Sequence, residues 1–169
     1  MRPLTYPVLH TRFIDFVENF LLHRILLGRK REVGMVKGSC LCGEIEYEVE
    51  LVDGKVFNCH CSQCRKSHGA AFATQAFAKG ETLKFSKGEE LLGEYKGSKG
   101  IRAFCKNCGS RLMNYAPDKD MYLSVALSCV DSEVIDGPVA HANVEFKAPW
   151  HSPAQDIPSF QGIPDGALD

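Results

Sequence analysis

The spacing of the cysteines constrains this chain more than any other feature. Cys59, Cys61 and Cys64 form a C-x-C-x-x-C pattern within six residues. Alternate residues of an extended segment share one face, and a following two-residue turn returns a third sulfur to that face. The pattern therefore predicts three thiolates on one zinc ion. A structural site normally closes with a fourth protein ligand, whereas a zinc with an open position accepts water or a substrate atom.

Two further cysteine pairs, C-x-C and C-x-x-C, supply the halves of a second site with four sulfurs: Cys40, Cys42, Cys105 and Cys108. Gly43 and Gly109 each follow the last sulfur of a pair, where a turn that presents N–H groups to thiolate often needs a positive φ. Cys129 remains outside both sets. Its simplest interpretation is a small buried apolar residue, and a ligand role is the weaker alternative.

Length and charge narrow the class of protein. A chain of 169 residues is long enough for one domain with a core that needs no disulfides. The formal net charge of −1 gives no basic footprint for nucleic acid, so a nucleic-acid partner is not expected. Eight cysteines without a recognisable secretory signal favour metal binding over disulfides, which predicts a reducing, cytoplasmic location.

Residues 1–34 differ from the rest of the chain and are expected to form an N-terminal extension. Apolar residues recur there at helical spacing: Phe13, Phe16, Val17, Phe20, Leu21 and Ile25. This spacing predicts an amphipathic helix over residues 12–27 that ends near Gly28. Charged residues interrupt the segment, so no membrane span is expected. The helix would serve as an interfacial anchor, as a docking surface for a homodimer, or as an appendage without a role in chemistry.

A period of two replaces the helical spacing after Lys37. Residues 44–51 alternate strictly between glutamate and apolar side chains, which predicts a half-buried strand. Weaker strand predictions cover the segments 70–78, 82–85, 91–95, 101–104, 111–115, 121–127 and 140–146. The fold class predicted for residues 35–169 is therefore mainly β.

The chain from about Val36 to Phe160 resembles the glutathione-dependent formaldehyde-activating enzyme family, which includes centromere protein V. The matching segments are Gly38–Gly43, Ile45–Tyr47, Cys59–Lys66, Gly69–Phe72, Phe104–Ser110, His141 and Lys147–Trp150. The resemblance implies a tent-like, zinc-bound β fold for residues 35–169, to which the N-terminal helix is added. It also implies two zinc ions per chain, a structural one on Cys40, Cys42, Cys105 and Cys108, and a catalytic one on Cys59, Cys61 and Cys64.

The family activity joins formaldehyde to glutathione and is classed in reverse as a carbon–sulfur lyase. The resemblance thus implies glutathione or a similar small thiol, and an aldehyde, as partners. Arg65 and Lys66 are candidates for binding a glutathione carboxylate, although solvated charges that offset the anionic zinc centre explain them equally well. His68 is a candidate proton shuttle, and His60 is expected to point away from the ion. The alternative function is a zinc-stabilised binding module without catalysis.

Overall fold

The computed structural model describes residues 34–98, 100–132 and 137–164. Nine strands and one α-helix lie in these ranges, joined by turns and short 3-10 segments. The elements are β1 (Met35–Ser39), β2 (Glu46–Cys59), α1 (Ser62–His68), β3 (Ala73–Ala78), β4 (Lys84–Lys87), β5 (Leu92–Gly97), β6 (Gly100–Cys105), β7 (Arg111–Tyr115), β8 (Leu123–Ala126) and β9 (Ala140–Ala142). The prediction of a mainly β fold is confirmed.

The long strand β2 is the centre of the sheet. Its first half pairs with β1 on one side and β4 on the other, and its second half pairs with β3 and, in parallel, with β9. The remaining strands continue from β3 in the order β8, β7, β6 and β5, all antiparallel. The pairing with β3 shifts register between Leu51 and Val56, where β2 passes from one set of neighbours to the other.

The alternation predicted for residues 44–51 is confirmed by burial. Ile45, Tyr47, Val49 and Leu51 are all buried, whereas the glutamates between them are exposed or half-buried. Their apolar side chains pack with Leu112, Met113, Leu123 and Val125 of β7 and β8 in the main core. Burial of one face of β2 is what fixes its register, because a slip by one residue would turn the glutamates inward.

Four local elements differ from the sequence-based expectation. The strand β2 does not stop near residue 51 but runs on to Cys59, through a glycine in the left-handed region at Gly54. The strand β1 and the helix α1 had not been predicted, and the strand expected over 140–146 ends at Ala142 before a 3-10 turn. The helix predicted over residues 12–27 lies outside the described residues.

No helix in the part of the chain that the structure describes is both long and apolar enough to cross a membrane.

Candidate metal centres and their cavity

The first candidate centre is built where β2 ends and α1 begins. Cys59 is the last residue of β2, Cys61 is the N-cap of α1, and Cys64 is buried in the first turn of the helix. The Cys64 N–H donates to Cys61 Sγ at 3.4 Å. The Cys61 side chain thus accepts a hydrogen bond from one of the backbone N–H groups that have no partner within the first turn of a helix. Gly69, at φ 60°, ends the helix in the left-handed region. The C-x-x-C half therefore lies on a helix start rather than on a plain turn.

The three sulfurs of this centre are close enough to bind one ion. Their Sγ atoms lie within 4.8 Å of one another. Hydrogen bonds from Cys59 and Cys64 hold the pKa of Cys61 far below its usual value, and the same contacts raise the pKa of Cys59. Three cysteines grouped in this way are suited to exchange their protons for a cation. Asn143 Nδ2 also donates to Cys59 Sγ at 3.5 Å.

The second candidate centre joins two turns that are far apart in sequence. Its four Sγ atoms also lie within 4.8 Å of one another: Cys40, Cys42, Cys105 and Cys108. The Leu41 N–H donates to Ser110 Oγ at 2.9 Å and links the turn after β1 to the turn after β6. Gly43 and Gly109 have φ values of 70° and 76°, which confirms the predicted positive φ at both positions. Each glycine N–H donates to the carbonyl of the first cysteine of its pair.

Both sulfur sets fit zinc by their geometry and by their chemistry. A tetrahedral zinc with Zn–S distances of about 2.3 Å holds its sulfurs about 3.8 Å apart. The second centre has Sγ separations of 3.4 Å between Cys40 and Cys42 and 3.9 Å between Cys42 and Cys105. Four thiolates complete a tetrahedron, whereas three do not. Within the described ranges no histidine, carboxylate or further cysteine joins the three-sulfur group.

A cavity of about 310 Å³ opens beside the three-sulfur centre. All three of its cysteines line the cavity, together with Arg102 and Asn143. Most of the remaining wall is apolar: Phe57, Phe77, Met121, Tyr122, Ala142 and Ile163. Asn143 has a φ of 56°, a conformation that asparagine tolerates better than most residues, and this turn places it at the cavity. The three-sulfur centre is thus accessible to a small molecule.

A line of polar side chains crosses the sheet beneath this cavity. Arg102, Asn114 and Ser124 are successive cross-strand partners on β6, β7 and β8. Arg102 Nη1 donates to Asn114 Oδ1 at 3.0 Å, and Asn114 Nδ2 donates to Gln75 Oε1 at 2.7 Å. Ser124 Oγ donates to the same Gln75 oxygen at 3.0 Å. A buried network whose members satisfy one another holds each side chain in one position, including Arg102 at the cavity wall.

Three histidines, His60, His141 and His151, form a separate cluster. His60 is fully buried, and its Nε2 lies 2.8 Å from His141 Nδ1. The ring of His151 stacks on His60 at 5.6 Å. Burial, followed by the neighbouring histidines, lowers the pKa of His60 to about 4. His60 belongs to neither sulfur group, and its ring contacts His141 and His151 instead.

The predicted substrate-binding residues lie on α1 but not on the described wall of this cavity. Arg65 Nε donates to the His60 carbonyl at 3.2 Å, and Lys66 is exposed. His68 Nε2 lies 3.2 Å from Gln75 Nε2 and lines a separate groove beside the four-sulfur centre. Substrate binding by these three residues stays a prediction. Cys129 is half-buried and donates to the Arg111 carbonyl at 3.2 Å.

No local pattern in the sequence singles out Arg102, Asn114 or Asn143. Arg102 lies in a segment that was predicted as a strand, and an arginine on a strand is ordinarily a solvated charge. Its neighbours across the sheet depend on the pairing of β6, β7 and β8, which the local pattern does not specify. A usable sequence signal exists for Asn143 alone among these three residues: an asparagine within a predicted strand can indicate a turn.

The sequence pattern of the glutathione-dependent formaldehyde-activating enzyme family matches residues 35–145. A curated protein of Schizosaccharomyces pombe, named an uncharacterized lyase, is 34% identical over 88 residues. The match covers 51% of this chain and 62% of that protein's length. A crystal structure of a Rhodobacter sphaeroides protein has a similar fold, with a TM-score of 0.51 and 25% sequence identity. That match covers 73% of this chain and 99% of the other.

Proposed function

We propose that this chain, which belongs to the glutathione-dependent formaldehyde-activating enzyme family, is a zinc-dependent carbon–sulfur lyase. Its substrate would be the adduct of a small thiol, such as glutathione, with formaldehyde or another aldehyde. The single observation that carries the proposal is the contrast between the two sulfur groups. Four sulfurs form a group that needs no further ligand, whereas three sulfurs, Cys59, Cys61 and Cys64, line a cavity of about 310 Å³. This contrast supports an enzyme over a purely structural module.

The proposed division of roles follows from the number of sulfurs. Cys40, Cys42, Cys105 and Cys108 would hold a structural zinc, and Cys59, Cys61 and Cys64 would hold a catalytic one. A zinc ion in the three-sulfur centre would lower the pKa of a thiol and make thiolate available at neutral pH. The side chains of the cavity would contribute the rest of the catalysis.

Those side chains hold the reacting groups and exclude water. In the lyase direction the adduct loses its hydroxyl proton, the carbon–sulfur bond breaks, its electron pair passes to sulfur, and the carbonyl of the aldehyde forms. The proton balance is neutral, because the released thiol regains one proton. The aromatic walls at Phe57 and Phe77 shield this step from bulk water, which strengthens the electrostatic interactions inside the cavity. Asn143 orients the Cys59 sulfur through its amide.

The proposal is tested by mixing zinc-replete protein with glutathione and formaldehyde and measuring the free thiol with time. We expect the protein to accelerate formaldehyde-dependent thiol consumption, and the reverse reaction to release formaldehyde from the preformed adduct. Cys61→Ser should abolish the acceleration while leaving the four-sulfur group intact. A rate with zinc-replete protein no faster than with Cys61→Ser would refute the lyase proposal and favour the binding module.

A further inference from the structure

Two arginines that contact Asn114 of the cavity wall, Arg102 and Arg111, have no carboxylate partner within the described ranges. Arg102 Nη1 and Arg111 Nη2 both donate to the same oxygen, Asn114 Oδ1, at 3.0 and 3.1 Å. The ion pairs found within the described ranges all involve lysines. Arg111 Nε is also buried without an acceptor in those ranges. Two guanidinium groups that share one neutral oxygen leave an excess of positive charge, which an anion would offset.

Arg102 is the arginine that reaches the cavity. Its Nη2 donates to Gln63 Oε1 at 2.8 Å, so two neutral carboxamides hold the guanidinium from two sides. A guanidinium carries five N–H groups. Three of them therefore have no acceptor among the described residues. A guanidinium held in place with free N–H groups is suited to bind a carboxylate through two parallel hydrogen bonds.

The rest of the cavity wall determines what else the ligand can carry. Its described lining contains no aspartate or glutamate and no positive charge other than Arg102. An ammonium group would find no carboxylate on this wall, where the three sulfurs are the source of negative charge, whereas an apolar body would pack against Phe57, Phe77 and Ile163. The cavity therefore combines three sulfurs, one cation and an apolar wall.

We propose that Arg102 binds a carboxylate of the thiol that enters the cavity, which makes the substrate class a small carboxylate-bearing thiol with an apolar body. This inference rests on the proposed function, since it is the three-sulfur centre that would bind the thiol sulfur. Glutathione meets the carboxylate requirement, but its ammonium group must then lie outside the described wall. Arg102 is thereby assigned to substrate selection, a role for which the sequence had favoured Arg65 and Lys66.

A competing role for Arg102 is to offset the charge of the cysteine thiolates themselves. In that role the loss of Arg102 would weaken the binding of every thiol equally, whether or not the thiol carries a carboxylate. The two roles are separated by comparing 3-mercaptopropionate with its methyl ester, which has the same thiol and no charge. Binding of both to zinc-loaded full-length protein is measured by calorimetry, and thiolate ligation is measured independently by absorption of the cobalt-substituted protein.

We expect unaltered protein to bind 3-mercaptopropionate about ten- to a hundredfold more tightly than the ester, as for a hydrogen-bonded charge pair. Arg102→Gln should reduce this ratio at least tenfold, and Arg102→Lys should retain part of it because the charge remains without the planar fork. Lys84→Gln removes an exposed positive charge on β4 and should leave the ratio unchanged. The comparison between variants cancels any difference in acidity between the two thiols.

The other outcomes contradict either the assignment of Arg102 alone or that assignment together with the proposed function. A ratio that Arg102→Gln leaves unchanged would refute carboxylate binding by Arg102, and equal affinity of unaltered protein for acid and ester would do so even without a folded variant. In both cases thiolate absorption of the cobalt protein would still support the proposed function. If neither thiol bound and the cobalt absorption did not change, the proposed function and the assignment of Arg102 would fail together.

Discussion

Replacing one cysteine in each sulfur group should destabilise the fold to different degrees. Cys42 and Cys105 are 63 positions apart, so an ion on the four-sulfur group closes a long loop. The chain-entropy relation for a cross-link gives about 4 kcal/mol for a loop of this length. Cys59 and Cys64 lie within six residues, for which the same relation gives about 2 kcal/mol. Cys105→Ser should therefore lower the free energy of unfolding about twice as much as Cys61→Ser.

These free energies predict different melting temperatures for Cys105→Ser and Cys61→Ser. For a domain of this size about 4 kcal/mol lowers the Tm by roughly 10–15 °C, and about 2 kcal/mol by roughly 5–8 °C. Cys105 is also fully buried, so its serine hydroxyl would add the cost of an unpaired polar group. The assay is thermal unfolding of both variants with excess zinc, followed by far-UV circular dichroism, with metal content measured in parallel. Equal shifts, or a larger shift for Cys61→Ser, would refute the assignment of the structural role to the four-sulfur group.

Two further predictions concern other parts of the chain. Deletion of residues 1–34 should leave two zinc ions per chain, because every ligand cysteine follows Met35; metal analysis of the truncated protein that found fewer ions would contradict this. Burial, followed by the positive charges of Arg111 and Arg102, lowers the pKa of His68 to about 4. The unfolded chain then binds the extra proton between pH 4 and 6.5, so stability falls as pH falls through this interval. His68→Gln should flatten that dependence in urea titrations, and an unchanged slope would be the contrary result.

The sequence was most informative where a residue's role depends on its near neighbours. The alternation of residues 44–51 requires only that one face of a strand be buried, and the sulfur spacing requires only that a short segment turn back on itself. The positive φ at Gly43 and Gly109 is equally local, since it belongs to the turn that each cysteine pair forms. These features were predicted because tertiary contacts do not alter them.

The parts that were missed depend on strand pairing or on very short segments. The helix α1 has seven residues, too few for a helical period to be recognised between Cys61 at its N-cap and Gly69 at its end. The position of Arg102 under the cavity requires that β6 pair with β7 and β7 with β8 in the observed register. Nothing within residues 100–105 encodes that register. A charged residue on a strand is interpreted as solvent-facing until its cross-strand neighbours are known, which is why Arg102 is not among the predicted residues. Arg65 and Lys66 are candidates because they directly follow Cys64.

The two sulfur groups are connected through β2, and we expect the three-sulfur group to depend on the four-sulfur group more than the reverse. The Ile45 N–H donates to Cys40 Sγ at 3.3 Å immediately before β2 begins, so the four-sulfur group positions the start of this strand. Cys59 is the last residue of the same strand. Loss of the four-sulfur group would therefore loosen the start of the strand whose other end carries Cys59. Loss of the three-sulfur group would disturb only the end of β2 and the start of α1, because its three sulfurs lie within six residues. The proposed structural ion thus supports the proposed catalytic one, and the reverse dependence is weak.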